Sequence, residues 1–377
     1  MVGIAEEADR LRQKKGKFFK PIFPIQYRKM WKVRNKTLAD LMNDYVKDPA
    51  LQNILDSLSG YYGVLPSKLS GFYYAVATGG YLKNGSQYVN ERSPDLSYAL
   101  ADVIDGSGGK ILYETLVQNI LVKNGAVQGV GISGGKVLPA RAVVSNASAL
   151  TTFKKMLPHE VLPADYLKKL NGYRPSLSTF IVWLGLNQEL KGKIKGYSFY
   201  VGSGRGPEAE YQSFLKGEID RGSFGVTVYD NVFEGYSPPG TLVLLFLCGY
   251  EPWRKVEADY RTGHKDAYYK EKQRWTEILI CRADEKVVPA LSSMIEVKEA
   301  ATLLTNWRYT RNLEGAIYGF EQSMDNSFMK RIDNRTPYQR ALPRQRLGKS
   351  RWWLCRGAQG RGADLPENDA GLGRVIR

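Results

Sequence analysis

A chain of 377 residues, 43% apolar and 12% aromatic, can hold two domains with cores of their own. The net charge of +16 points to an acidic partner surface, nucleic acid or anionic lipid. No run of about 18 apolar residues exists to cross a membrane as a helix. Residues 1–7 lack the apolar stretch of a signal peptide. Cys248, Cys281 and Cys355 show no metal or redox spacing, and read as reduced thiols of a cytoplasmic protein. His159 and His264 stand far apart, which argues against a zinc site and a Ser-His-Asp hydrolase.

Residues 11–36 interleave cations with aromatics and contain no acid. Such a segment suits an anionic membrane interface, with rings at headgroup level. It equally suits a solvated helix broken by Pro21 and Pro24, and it leaves stacking on nucleic-acid bases open as the weaker reading. Thr37 with Asp40 predicts a capped helix start, and Leu38, Leu41, Met42 and Tyr45 share one face. Asp48-Pro49 starts a second helix over 50–59. Residues 72–77 continue the helical region. Ser93-Pro94 opens a helix over 93–105 with an apolar stripe of Leu96, Leu100, Val103 and Ile104.

Residues 109–147 hold four short apolar runs, at 110–113, 117–122, 126–132 and 142–145. Asn124-Gly125 predicts a two-residue hairpin, because both positions tolerate positive φ. Gly134-Gly135 makes a second turn. The run 142–145 reads as a strand apolar on both faces, suited to the buried centre of a parallel sheet. Helices are expected over 149–157 and 164–170, then strands at 178–186, 196–201, 225–229 and 241–248. A long amphipathic helix over 266–290 and a strand at 295–297 complete this part. Gly202-Ser203-Gly204-Arg205-Gly206-Pro207 lacks phosphate-loop spacing, and Pro207 removes an amide, so it reads as a loop.

Several ordered segments carry a resemblance. The meander followed by Val143-Val144-Ser145-Asn146-Ala147 resembles the middle of the phytoene desaturase, carotenoid isomerase and retinol saturase family of FAD-dependent oxidoreductases. Thr78-Gly79-Gly80-Tyr81 with Gly85-Ser86-Gln87, the run 176–186, and Asn306-Trp307-Arg308-Tyr309-Thr310 with Gly315-Ala316-Ile317-Tyr318-Gly319 resemble further family segments. The likeness covers roughly 37–337. It departs at Arg311, where the family usually carries glycine, and at Leu303, where it often carries proline.

The resemblance implies an α/β chain of mixed character: a partial Rossmann-like FAD-binding domain lacking its first βαβ unit, plus a substrate domain of mixed sheet and helices. The expected division is 1–70 basic, aromatic and helical, 71–150 FAD-domain remnant, 151–310 substrate domain, 311–337 return toward the FAD domain, and 338–377 irregular tail. For FAD the resemblance implies contact at Val117, whose backbone would meet adenine, and at Ser145, Asn146 and Ala147. For a long apolar polyene it implies Tyr81, Trp183, Arg308, Tyr309 and Tyr318; Arg308 can equally be a structural ion-pair residue. No acid/base pair announces itself, and no metal is expected.

The family's G-x-G-x-x-G unit, whose amides approach the pyrophosphate at a helix N-terminus, is absent before Gly109. From Tyr338 the chain loses helical and strand period and becomes rich in arginine and glycine. Gly348-Lys349-Ser350 is no P-loop, since Pro343 stands where its first glycine belongs. A shifted reading frame accounts for this tail: Trp352-Trp353-Leu354 read one base later must give Gly-Gly, as in the family's closing flavin segment. The rival is a natural basic tail. The expectation is therefore a polyene oxidoreductase or isomerase lineage at or near a membrane surface, with this chain inactive and free of flavin absorbance. The alternatives are a non-enzymatic basic binder of membrane or nucleic acid, and a misassembled gene product.

Overall fold

The computed structural model describes residues 1–13, 22–85, 89, 93–158, 164–231 and 240–326. Ser86, Gln87, His159, Cys355 and the tail from 338 lie outside them. The described residues form two compact units, one of 1–80 with 174–326 and one of 81–173. The chain is mixed helix and sheet, and every strand ladder described is antiparallel.

The first unit opens with α1 (Val2–Gln13), α2 (Phe23–Gln26) and α3 (Arg28–Val33). Phe23, Tyr27, Met30 and Val33 recur at helical spacing and bury against Ile4 and Ala8 of α1 and Ala75. Glu7, itself buried, accepts the Met30 amide at 2.8 Å and so satisfies the first turn of α3. α4 (Leu38–Tyr45) starts at the expected capping box: Asp40 N donates to Thr37 Oγ1 at 3.1 Å, and Thr37 N donates to Asp40 Oδ2 at 3.0 Å. α5 (Pro49–Asp56) is capped by Asp48 and runs into a 3-10 turn, Ser57–Tyr62. α6 (Gly71–Asn84) carries Gly79, where a Cβ would lie 2.7 Å from the Met1 backbone. Close backbone packing accounts for a glycine there.

The second unit holds α7 (Ser93–Gly106) and the meander β1 (Val117–Lys123), β2 (Ala126–Ile132) and β3 (Val137–Pro139), in the order β1-β2-β3. The first hairpin forms as the dipeptide predicts, with Asn124 at φ 51 and Gly125 at φ 72. Changing Gly125 to alanine should cost this unit about 1 kcal/mol, because φ stays positive while a Cβ is added; thermal melting checks it.

Three expectations fail in this unit. The run 110–113 is not a strand, and neither is 142–145. A strand exists only where a neighbour takes its ladder bonds, and none of the described strands lies along either run. Val144 is instead exposed. The predicted stripe of α7 also fails to form a core, since α7 has no buried residue and Leu96, Leu100 and Val103 stand in solvent. After 145 come α8 (Ala149–Thr151), a π-helical turn Thr152–Met156, and α9 (Ala164–Asn171).

The chain returns to the first unit with β4 (Ser178–Leu186), β5 (Ser198–Val201), α10 (Pro207–Lys216), β6 (Phe224–Val228) and β7 (Thr241–Cys248). Then follow α11 (Glu251–Thr262), α12 (Asp266–Lys286), α13 (Leu291–Met294), β8 (Ile295–Ala301) and α14 (Leu303–Thr310). The five strands form one sheet in the order β5-β6-β7-β4-β8. Alternate residues Phe180, Val182 and Leu184, Leu242, Leu244 and Phe246, and Val226 and Val228 pack beneath the helices. Trp253 and Trp275 fill the centre, with Trp253 stacked on Phe180 at 5.9 Å and Trp275 edge-on to Trp253 at 5.1 Å. The stretch 202–206 is a loop as expected, and Pro207 begins α10.

Candidate substrate face and its surroundings

With one face of the five-stranded sheet under helices, the other alternate residues point away from that core. The ladder registers put them in rows. Tyr200, Gly225, Leu245, Ile181 and Ala301 form one row across all five strands. Ser198, Thr227, Val243 and Trp183 form the next, and Thr241, Gly185 and Val297 a third. None of these side chains is charged. Trp183 is 41% exposed, Val297 65% and Tyr200 50%, so the face offers apolar surface to a ligand. Gly225 and Thr227 keep its middle low: a Cβ at Gly225 would meet nothing nearer than 3.9 Å. Glu299, opposite Trp183, ends that row on the edge strand β8, where its carboxylate is ion-paired with Lys272 of α12.

One end of this face is met by the 3-10 turn Ser57–Tyr62. Gly60 lies against Leu247, and the Tyr61 ring meets Tyr200 edge-on at 5.9 Å with the two hydroxyls in contact. Tyr62 packs on Tyr74 at 5.5 Å behind it. The turn thus brings a phenol pair to the edge strand β5.

The expected substrate residues separate. Trp183 is on the open face. Tyr318 donates its amide to Ser176 Oγ at 3.1 Å, and its ring lies beside Gly63. Arg308 and Tyr309 are on α14, whose Leu303 and Leu304 sit in the core on the helix side of the sheet. Arg308 hydrogen-bonds Tyr260 of α11 and lies 5.6 Å from the Tyr309 ring. Tyr81, 46% exposed, is in the second unit. Leu303 takes the first helical position of α14, where proline fits equally. Arg311 ends that helix at φ 55, the conformation that favours glycine.

The expected cofactor residues all lie in the second unit. Val117 starts β1 opposite Ile132, and β1 packs beside the π-helical turn. The Ser145 hydroxyl is 2.7 Å from that of Thr152 in the same turn. Asn146 is exposed and Ala147 half-buried on the extended stretch before α8. A pyrophosphate needs several free amides at a glycine-rich turn entering a helix. The glycine-rich turn at 202–206 does lead from β5 into α10, but Glu208 and Glu210 occupy that helix's first turn, where an anion is repelled. The described residues therefore do not fit a complete flavin site. Among them, no three His, Cys, Asp or Glu side chains gather as a metal site.

A small cavity of about 80 Å³ escaped sequence reasoning. Ser176, Ser178, Tyr211, Tyr250, Glu314 and Glu321 line it. Tyr211 donates to Glu321 at 3.3 Å. Burial pushes the Glu321 carboxyl above the ordinary carboxylate range, against the pull of Tyr211 and Arg174. Burial, with Glu321 beside it, raises the Tyr211 phenol. These residues come from distant segments and form no motif that spacing could have flagged.

By sequence the chain is similar to all-trans-retinol 13,14-reductase of Danio rerio, 26% identical over 306 residues, covering 77% of this chain and 50% of that protein. The Rattus norvegicus protein of the same name is 26% identical over 308 residues, with the same coverage. The chloroplastic prolycopene isomerase of Daucus carota is 23% identical over 309 residues, covering 81% of this chain and 47% of that protein. The chain is a homologue of the retinol 13,14-reductases and prolycopene isomerases. The resemblance read from its motifs therefore holds, and this homologue spans about half the length of the relatives it matches. No family model matches it. Likeness to solved structures is weaker: an oxidoreductase from Methanosarcina mazei at a TM-score of 0.45, 16% identical over 75% of this chain and 61% of that one, and cyclohexylamine oxidase from Brevibacterium oxydans at 0.42, 15% identical over 78% and 64%.

Proposed function

We propose that this chain carries the polyene-binding part of a flavin-dependent oxidoreductase or isomerase, with a long conjugated chain lying along the open sheet face. The observation that supports this is the run of uncharged side chains across β5, β6, β7 and β4, with Trp183 and Tyr200 about half exposed, in a chain whose relatives are named for retinol and prolycopene. Both names denote conjugated polyenes, which have little to hydrogen-bond and much apolar area to bury. Removing such area from water contributes roughly 25 cal/mol per Å². Trp183 and Leu245 supply contact, Gly225 and Thr227 leave room, and the sheet itself excludes water from one side of the bound chain.

The flavin implied by the resemblance would supply the redox chemistry. The described residues do not hold its pyrophosphate, so the chain as given is expected to bind polyene without turning it over, and to purify colourless. Binding is read by quenching of tryptophan fluorescence on titration with all-trans-retinol. Trp183→Ala and Gly225→Leu are each expected to weaken binding about tenfold, equivalent to ~1.4 kcal/mol, while shifting the melting temperature little. Unchanged binding in both variants overturns the assignment of the face. A yellow preparation with bound FAD overturns the inactivity.

A further inference from the structure

The acid-free segment that the polyene reading leaves unused has a distinctive surface in the first unit. Phe23, Tyr27, Met30 and Val33 turn inward, and the same helices leave Ile22 37%, Ile25 80% and Trp31 38% exposed. These are not scattered. The Trp31 ring packs edge-on to Phe23 at 6.1 Å, next to Ile22 in the chain. Arg34 stacks 3.6 Å over Trp31, and Lys32 lies 5.4 Å from the ring of exposed Tyr45 and donates to its hydroxyl at 3.2 Å. Two exposed aromatics thus carry a cation each, with Arg28 and Lys29 exposed beside them.

Three of the acids near this face are engaged elsewhere. Glu7 is buried beneath α3 with its carboxylate on backbone amides. Asp44 is paired with Lys36, and Asp40 is engaged in the Thr37 capping box. A surface that is both apolar and cationic has two complementary partners, a bilayer with anionic headgroups and a nucleic acid. The two isoleucines decide between them. Aliphatic side chains gain from the acyl boundary of a bilayer and gain little from stacked bases or phosphates.

We infer that the α2–α3 face is a docking surface for an anionic lipid bilayer, with Ile22, Ile25, Trp31 and Tyr45 at the headgroup–acyl boundary and Arg28, Lys32 and Arg34 on the lipid phosphates. Aromatic rings and stacked cations are the side chains that sit stably at that depth. No described helix is long and apolar enough to cross a membrane, so the contact is peripheral. This inference stands apart from the polyene reading, and its test uses no polyene.

The full chain is floated with vesicles of phosphatidylcholine alone or mixed with phosphatidylserine. Binding is expected only with the anionic lipid and is expected to fall with added salt. Lys32→Ala and Arg34→Ala should each weaken partition about fivefold, as expected for one cation near such a surface. Ile25→Asp should weaken it about tenfold, and because Ile25 is largely in solvent its melting curve should match the parent. Equal binding to neutral vesicles overturns the inference. So does an Ile25→Asp variant that binds as the parent does, or a gel shift with single-stranded RNA tighter than vesicle binding and unaffected by that substitution.

Discussion

Replacing Arg282 with methionine is expected to destabilise the first unit by about 3 kcal/mol. Arg282 projects from α12 into the core and is 7% exposed. One guanidinium nitrogen donates to the Ile219 carbonyl at 2.6 Å and the other to the Gly222 carbonyl at 2.6 Å, and the group lies 4.7 Å from the Phe224 ring. Burial lowers its pKa, an effect offset by Asp220 and Glu210. Methionine keeps the apolar volume and leaves two buried carbonyls unpaired, each costing about 1–3 kcal/mol. Lysine should recover about half, because an ammonium is a point donor and cannot span both carbonyls as the planar fork does. The consequence reaches the sheet: the pinned turn leads directly into β6, which carries Gly225 and Thr227. Chemical denaturation of parent and both variants decides it; a methionine variant within ~1 kcal/mol of the parent would show that the fork contributes nothing net.

Replacing Asp56 with asparagine is expected to stabilise the same unit above pH 6 and to leave it unchanged near pH 4. Asp56 ends α5 just before the turn that carries Tyr61 onto the sheet. It is 9% exposed, and one of its carboxylate oxygens has no partner. Burial pushes its pKa from 3.8 to about 6, opposed by the Ser59 hydroxyl. The folded state therefore holds this proton more tightly than the unfolded chain does. Its stabilising share is complete below pH ~4 and is lost as pH rises through about 6, beyond which the folded state carries a buried charge. The displacement from 3.8 to about 6 corresponds to about 3 kcal/mol at most. Asparagine keeps the shape and a hydrogen-bonding oxygen without the charge. Melting curves of parent and variant should coincide at low pH and separate between pH 4 and 7. A constant difference across that range would mean that Asp56 does not titrate there.

Local physics alone settled many elements. The Thr37–Asp40 box, the Asp48-Pro49 start and the Asn124-Gly125 hairpin each rest on contacts within a few residues. The continuous apolar, β-branched and aromatic runs of β4 and β7 mark buried strands whichever strands lie beside them. Helices α11 and α14 lie outside the elements expected from the sequence, although Pro252 in the first turn of α11 and Gly263 after its end are ordinary boundary signals. The apolar run 142–145 shows the opposite failure. β-branched residues favour extended backbone, but a strand needs a partner that no local pattern guarantees.

Sequence by itself determined the capped helix starts, the hairpin, the apolar runs of β4 and β7 and the kinship with retinol reductases and prolycopene isomerases, since each is carried by residues close along the chain. Tertiary structure decided which sheet face stays open, that Trp183 stands on it while Arg308 and Tyr309 lie with the helices, that Glu321 meets Tyr211 across a small cavity, and that Arg282 and Asp56 are buried. Those facts depend on strand order and register, which bring together residues scores of positions apart, and periodicity along a chain carries no record of such pairings.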